Sequence, residues 1–349
     1  MHINHIFELS MVLDSEKFHK VFDKVRDHTE SLEKIGNEYI DHALDSKGIT
    51  VIYRNSQYRK KIKILVNSRA SSKWSIADPE KFIRKLDKRI REYFGFKYKL
   101  NDFNLSGMTV VVDINVGNSK MVTEYLKVLR RIGKVKGFSP VSYECFDNNL
   151  SFCMEGNSNS MDFLLYDLKG TLADQLRQTG IGRKELKSVV EEAEGVLRSE
   201  VRLTKPKAIR AYTKGSDISA QIVELSEKSK DVFFETVTRI VPFGDFFKKD
   251  EAVKIIQGDV KDGVMRRKML RLLVLIPEKK SLYLAQKAMN CRNIEEVMDS
   301  FAEINLSPIT ISKRHERKYL DGIYNLNSAL NYNEEGTGTF ILNALKIAL

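Results

Sequence analysis

A nearly continuous apolar run at residues 108–116 constrains the fold of this chain more than any other segment. It reads Met-Thr-Val-Val-Val-Asp-Ile-Asn-Val, which is typical of a strand in the interior of a sheet. Asp113 interrupts the run. A carboxylate in such a strand is costly unless it is paired with a cation or bound to one. The sequence therefore predicts a central strand with one acid that needs a positive partner.

Residues 1–205 are predicted to form an α+β domain. Asp78-Pro79-Glu80 is a typical helix start, because Asp caps a helix, Pro fits its first turn and acids suit its dipole. Strands that alternate with helices favour a largely antiparallel sheet with helices packed on one face. The spacing of apolar residues predicts helices at 14–32, 78–94, 119–132 and 184–194, and strands at 48–53, 61–66, 143–146, 150–154, 163–167 and 197–203, with a hairpin turn at 147–149.

The pattern changes after Lys205-Pro206-Lys207, so residues 206–349 are predicted to form a second, mainly helical domain. Short helices joined by short loops can contain a helix-turn-helix. The best place for one is the pair 294–304 and 311–324, whose second member carries the basic segment 313–318. The other helices are predicted at 218–229, 232–240, 250–257, 265–275 and 280–288.

The chain has a formal net charge of +11 and a pI of about 9.3. An excess of this size favours a polyanionic partner, although lysines on solvated faces would give the same composition. Cys145, Cys153 and Cys291 are scattered and form neither a metal pair nor a disulfide framework, which indicates a reducing, cytoplasmic compartment. No apolar run is long enough to span a membrane, so no membrane partner is expected.

Three residues in separate strands are candidates for chemistry. Tyr166 ends the strand at 163–167, and Glu200 lies in the strand at 197–203. If Glu200 and Asp113 converge, their oxygens suit Mg²⁺ or Mn²⁺. Tyr166 would then attack a phosphodiester. The structural alternative is a half-buried tyrosine ring beside a salt bridge from Glu200 to an arginine.

Basic residues near these strands are the remaining candidates. Arg198 and Arg202 share the face of Glu200 by strand parity, and Lys169 could lower the pKa of the tyrosine or hold a phosphate. Neither a Walker A loop, a dinucleotide fingerprint nor a serine nucleophile elbow occurs, which disfavours ATPases, kinases and lipases. The candidate DNA-backbone contacts are Arg202, Lys205, Lys207, Arg210 and Lys214.

The order of these motifs resembles a known family. The sequence is similar to the rolling-circle replication initiation factors, which include plasmid Rep proteins, related relaxases of integrative elements and filamentous-phage replication proteins. The resemblance covers about residues 100–205. The segments that carry it are Val112-Asp113, Gly156-Asn157-Ser158-Asn159-Ser160, Leu165-Tyr166-Asp167 and Arg198-Ser199-Glu200-Val201-Arg202-Leu203.

The resemblance implies a replication initiator that nicks one strand at an origin. Tyr166 would become linked to the 5′ phosphate and leave a free 3′-OH, Arg198 and Lys169 would assist, and Asp113 and Glu200 would help to bind Mg²⁺ or Mn²⁺. The implied partners are single- and double-stranded origin DNA, a host helicase and a second copy of the chain.

Two other classes of protein remain open. One is a sequence-specific DNA-binding protein of a mobile element that has no nuclease activity. Leu168 stands where the family pattern has lysine, and Asn115 and Gly117 stand where a second carboxylate is expected; both departures favour this class. The other is a structural or assembly protein, which would have no salt-dependent affinity for DNA.

Overall fold

A computed structural model describes residues 3–27, 32–68, 78–95, 97–143, 147, 150–158, 160–179 and 184–323. Within these ranges ten strands form one antiparallel sheet in the order β2-β3-β4-β5-β1-β6-β10-β9-β8-β7. The strands are β1 (Ile3–Leu13), β2 (Leu32–Ile35), β3 (Glu38–Asp41), β4 (Ile49–Asn55), β5 (Lys60–Asn67), β6 (Asn104–Asn115), β7 (Phe138–Val141), β8 (Ser151–Gly156), β9 (Met161–Asp167) and β10 (Val196–Leu203). The predicted central strand is β6, which lies between β1 and β10.

Helices surround this sheet and make up most of the chain after β10. Within the described ranges, none of them combines the length and hydrophobicity needed to cross a lipid bilayer. The helices are α1 (Ser15–Arg26), α2 (Pro79–Phe94), α3 (Ser119–Leu129), α4 (Leu168–Thr179), α5 (Lys184–Glu192), α6 (Pro206–Tyr212), α7 (Ile218–Ile240), α8 (Lys249–Asp259), α9 (Gly263–Lys279), α10 (Leu282–Met289) and α11 (Ile294–Glu303).

Local side chains determine where several helices begin. Asp14 accepts a hydrogen bond from the Lys17 backbone N–H at 2.8 Å, and Asp78 accepts one from the Lys81 N–H at 3.0 Å. Asn118 caps α3 in the same way. These contacts satisfy N–H groups that a helix start leaves unpaired.

The two faces of the sheet are covered unequally. Val110, Val112 and Ile114 of β6 face the main core, together with apolar residues of α1, α2, α3 and α7. The opposite face has a smaller cluster that contains Leu164 and Tyr166 of β9 and is covered by α4 and α5. The predicted α+β class is therefore confirmed, with most helices on one face and α4 and α5 on the other.

The predicted helix-turn-helix is wrong as placed. Its first helix is α11, but residues 312–322 are not helical. Instead, the two-residue strand β12 (Tyr319–Leu320) pairs with β11 (Phe246–Phe247), and Ile311 forms a bridge with Lys248. Backbone pairing to a distant segment therefore overrides the helical spacing of this basic stretch.

Other differences concern single elements. The N-terminal strand β1 was not predicted, and the helices predicted at 218–229 and 232–240 are the single helix α7. Most of the hairpin turn at 147–149 and most of the strand at 143–146 lie outside the described residues. The main apolar cluster contains residues from both sides of position 205, and the division into two domains there stays a prediction.

Gly195, just before β10, approaches the loop between β6 and α3 very closely. Its φ is +71°, and a Cβ atom there would lie 2.5 Å from the Gly117 carbonyl carbon and 2.6 Å from the Asn118 nitrogen. The Val116 N–H donates to the Gly195 carbonyl at 2.8 Å. Glycine is needed here because of both its backbone angle and the nearby main chain.

We expect Gly195→Ala to destabilise the protein more than Gly36→Ala does. Gly36 also has a positive φ, +58°, but has open space around it, so alanine there adds only the conformational cost of about 1–2 kcal/mol. At position 195 the main chain must also move. Urea unfolding of both variants measures the difference, and equal losses of stability would contradict the close approach.

Candidate functional site on the central strands

The register of β6, β10 and β9 brings the predicted site residues onto one face of the sheet. Arg198 is opposite Asp113 on β6 and Tyr166 on β9. Glu200 lies two residues further along β10, on the same face. The motifs are far apart in the sequence, but their side chains are neighbours across three adjacent strands.

Asp113 and Arg198 form a bidentate ion pair. Arg198 Nε donates to Asp113 Oδ1 at 2.6 Å and Nη2 donates to Oδ2 at 2.8 Å. The Arg198 side chain is fully buried, whereas that of Asp113 is 21% exposed. Burial by itself lowers the pKa of Arg198, but Asp113 more than offsets this and the pKa is raised. Arg198 therefore stays charged, and it supplies the positive partner that the sequence required for Asp113.

Tyr166 and Glu200 form a second buried pair. The Tyr166 hydroxyl donates to Glu200 Oε1 at 2.5 Å. Glu200 Oε2 accepts from Arg202 Nε at 2.9 Å and lies 2.8 Å from Arg202 Nη2. Tyr166 is 1% exposed, and its burial and then the Glu200 charge raise its pKa well above 10. The phenol is therefore protonated at neutral pH, which disfavours nucleophilic attack in this arrangement.

The two carboxylates do not form a metal site as the structure has them. Both oxygens of Asp113 contact Arg198, and the oxygens of Glu200 contact Tyr166 and Arg202. The described part of the chain contains no group of three His, Cys, Asp or Glu side chains arranged to hold a metal ion. A divalent cation needs several oxygen ligands, and here the oxygens of both carboxylates are engaged by protein donors. The Mg²⁺ or Mn²⁺ site stays a prediction.

Lys169 contacts Glu194 rather than Tyr166. Its ammonium forms an ion pair with Glu194 Oε2, and Glu194 Oε1 accepts from the Ser119 N–H at 2.7 Å. The Lys169 contact, followed by the Ser119 N–H, lowers the pKa of Glu194 to about 2 from 4.5. Glu194 therefore links the start of α4 to the start of α3, and the structure does not bring Lys169 to the tyrosine hydroxyl.

The candidate DNA contacts lie at the end of β10 and along α6. The Arg202 side chain is partly exposed. The exposed residues among these candidates are Lys205, Lys207, Arg210 and Lys214. Arg210 and Lys214 line a cavity of about 830 Å³ together with Arg59. Arg202 lies on the Tyr166 face of β10, whereas α6 packs Ala208 and Ile209 into the main core. The role of these cations in binding DNA stays a prediction.

Sequence reasoning did not identify Asp162 and Tyr143 near Arg202. Asp162 is opposite Arg202 in the β9–β10 register. Burial raises the pKa of Asp162, whereas Tyr143 and Arg202 lower it. Strand parity could have suggested Asp162, because it lies on the same face of β9 as Tyr166. Tyr143 gave no such signal, since it lies beyond the end of β7.

Comparisons with known proteins find only distant structural similarity. No family model matches the chain, and no curated protein matches it by sequence. A solved structure of a rolling circle replication initiator protein from Geobacillus stearothermophilus aligns over 68% of this chain and 86% of that chain. The identity is 12% and the TM-score is 0.30. Values of this size assign neither an activity nor a site residue to this chain.

We expect Asp113→Ala to destabilise the protein by about 3 kcal/mol or more, because it leaves the buried Arg198 without a carboxylate. Asp23→Ala is a matched control, since Asp23 pairs with Arg26 at 3.2 Å on the surface and should contribute less than about 1 kcal/mol. Urea unfolding gives both values. Similar losses in the two variants would contradict the importance of the buried pair.

The Glu194 contacts predict a pH-dependent contribution to stability. A carboxylate whose pKa is lowered on folding stabilises the fold above its unfolded pKa, and this stabilisation is lost as the pH falls through the folded pKa. The difference in Tm between the wild type and Glu194→Gln should therefore be largest above pH 5 and shrink towards pH 2. Because Glu194 is 38% exposed, we expect less than about 1 kcal/mol.

The control for this experiment is Glu192→Gln, which removes one negative charge from an exposed position nearby. Thermal unfolding at several pH values compares the two variants. A Glu194→Gln difference that does not change with pH, or one that Glu192→Gln reproduces, would argue against the Lys169–Glu194–Ser119 link.

Proposed function

We propose that this protein binds DNA and acts as a replication initiator at an origin. The observation that carries the proposal is the convergence of Asp113, Tyr166 and Glu200 on one face of three adjacent strands. Their order along the sequence is the order in which the initiator motifs occur. Three short motifs in a sequence are weak support for a function unless strand pairing brings their side chains together, as it does here.

Cations next to this convergence support DNA as the ligand. Arg202 contacts Glu200 directly, and Lys205, Lys207, Arg210 and Lys214 follow it along the chain as exposed cations. Each phosphate that such cations neutralise releases counterions, which makes binding favourable and salt-dependent. The net charge of +11 favours the same class of partner.

The geometry supports DNA binding better than DNA cleavage. Tyr166 is buried and protonated, and each carboxylate is already held by an arginine or the phenol. The Asp113–Arg198 contact joins β6 to β10, and the Tyr166–Glu200 contact joins β9 to β10. Together they hold the central strands in register. Origin recognition without nicking needs no change in this arrangement.

Nicking through Tyr166 is the second candidate, and the 2.5 Å contact of its hydroxyl with Glu200 favours it. Glu200 would accept the phenolic proton while the oxygen attacks phosphorus. The phosphorus–O3′ bond would break, which leaves a 5′-phosphotyrosine link and a 3′ oxygen that takes up a proton. This reaction requires Tyr166 to become exposed and the carboxylates of Asp113 and Glu200 to leave their present partners.

One experiment separates the two candidates. The protein is incubated with supercoiled DNA that carries its own gene and flanking sequence, and with single strands of that DNA, with and without Mn²⁺. Binding is measured by gel shift, and covalent adducts are detected on a denaturing gel. We expect salt-sensitive binding that chelation does not abolish, and no adduct.

Tyr166→Phe and Tyr125→Phe are the matched variants. Tyr125 is also buried, and its hydroxyl donates to the Asp321 carbonyl at 3.1 Å. An adduct that disappears in Tyr166→Phe and persists in Tyr125→Phe would establish nicking through Tyr166. An adduct that Tyr166→Phe still forms would exclude this tyrosine. No affinity for any DNA would overturn the proposed function.

A further inference from the structure

A second cationic surface lies between α3 and the non-helical basic segment that follows α11. A cavity of about 440 Å³ separates the outer side of α3 from residues 311–317, and we call it the α3 groove. Five cations and two carboxylates line it. These charged residues are Lys120, Lys127, Arg131, Arg314, Arg317, Glu124 and Glu316.

The cations of α3 and the turn after it form one stripe. Lys120, Lys127 and Arg131 recur at helical spacing over roughly 16 Å, on the side of the helix away from the buried Val122 and Leu126. Glu124 is neutralised by Lys127 at 2.8 Å. Lys120 and Lys127 are thus paired with the two carboxylates of the groove, and the groove as a whole keeps an excess of three positive charges for the phosphates of a DNA strand.

The opposite wall of the groove has unpaired positive charge. Lys120 forms an ion pair with Glu316 at 2.6 Å. The charges of this wall that Glu316 does not neutralise are those of Arg314 and Arg317. Within the described ranges, neither Arg314 nor Arg317 forms an ion pair with a carboxylate. Both side chains are exposed. Guanidinium groups suit phosphate oxygens because their planar donors bind two oxygens at once.

The backbone of this wall is held in place before any ligand arrives. The Ile311 N–H donates to the Phe247 carbonyl at 3.0 Å, and Arg131 Nη1 donates to the Thr310 carbonyl at 2.8 Å. Within the wall, the Arg317 N–H donates to His315 Nδ1 at 3.1 Å. A preorganised site loses less conformational entropy on binding.

We propose that the α3 groove is a second binding site for the phosphodiester backbone of DNA. The proposal rests on the proposed function, since it names another contact for the same partner. The groove is separate from the Tyr166 face, because α3 packs into the main core whereas Tyr166 belongs to the cluster on the other face of the sheet. α6 lies on the same side of the sheet as α3, because its Ala208 and Ile209 also pack into the main core.

The test compares three variants of the full chain, each of which removes three positive charges. The groove variant is K127Q/R314Q/R317Q, and the α6 variant is K205Q/K207Q/K214Q. The control is K20Q/K81Q/R84Q, which changes exposed positions of α1 and α2. Fluorescence anisotropy with a 30-base-pair duplex gives Kd between 50 and 300 mM KCl, and circular dichroism checks that each variant is folded.

We expect the groove variant to bind at least about tenfold more weakly than the control at 100 mM KCl, and its slope of log K against log salt to fall by about two to three. A groove variant that matches the control would overturn this inference, while DNA binding by the wild type would leave the proposed function standing. In that case the groove would suit an acidic protein instead. A wild type that does not bind the duplex would overturn both.

Discussion

The bidentate contact between Asp113 and Arg198 is the constraint on which the centre of this structure depends. Arg198 is fully buried between β6 and β9, and a guanidinium in that position is tolerated only when a carboxylate and good geometry compensate for its lost hydration. A shift of one residue in the β6–β10 register would separate the pair and turn one partner towards the main core. The ion pair therefore specifies the pairing of the strands that carry every other candidate residue.

The centre of the sheet brings together the residue types of a catalytic site, but ion pairs and hydrogen bonds already occupy these side chains. Acids and a tyrosine converge there, but each acid is held by an arginine and the phenol is shielded from solvent. Chemistry would need these contacts to open, whereas the cations at the edge are already accessible. Two positive surfaces, along α6 and in the α3 groove, lie on helices that pack against the sheet whose central strands these buried pairs join.

Much of the fold and part of the site could be predicted from local patterns. The continuous apolar run correctly indicated β6, and the cap residues Asp14, Asp78 and Asn118 lie where helices begin. Strand parity correctly put Arg198, Glu200 and Arg202 on one face. The contact of Lys169 with Glu194 could not be predicted, because which carboxylate it meets depends on how α4 and α5 fold back over β10. The apolar spacing wrongly predicted a helix for the basic segment near residue 315. This segment pairs with residues 246–248, which are far from it in the sequence, so local spacing does not reveal the contact.

The sequence by itself determined that a charged residue interrupts a buried strand, that acids, arginines and a tyrosine recur at fixed strand positions, and that the surface is strongly basic. These properties follow from residue type and from the two-residue period of a strand. Only the tertiary structure decided which acid meets which cation, that Tyr166 is covered, and that a non-helical segment faces α3 across a groove. Those outcomes depend on strand register and on contacts between distant segments, which local spacing does not encode.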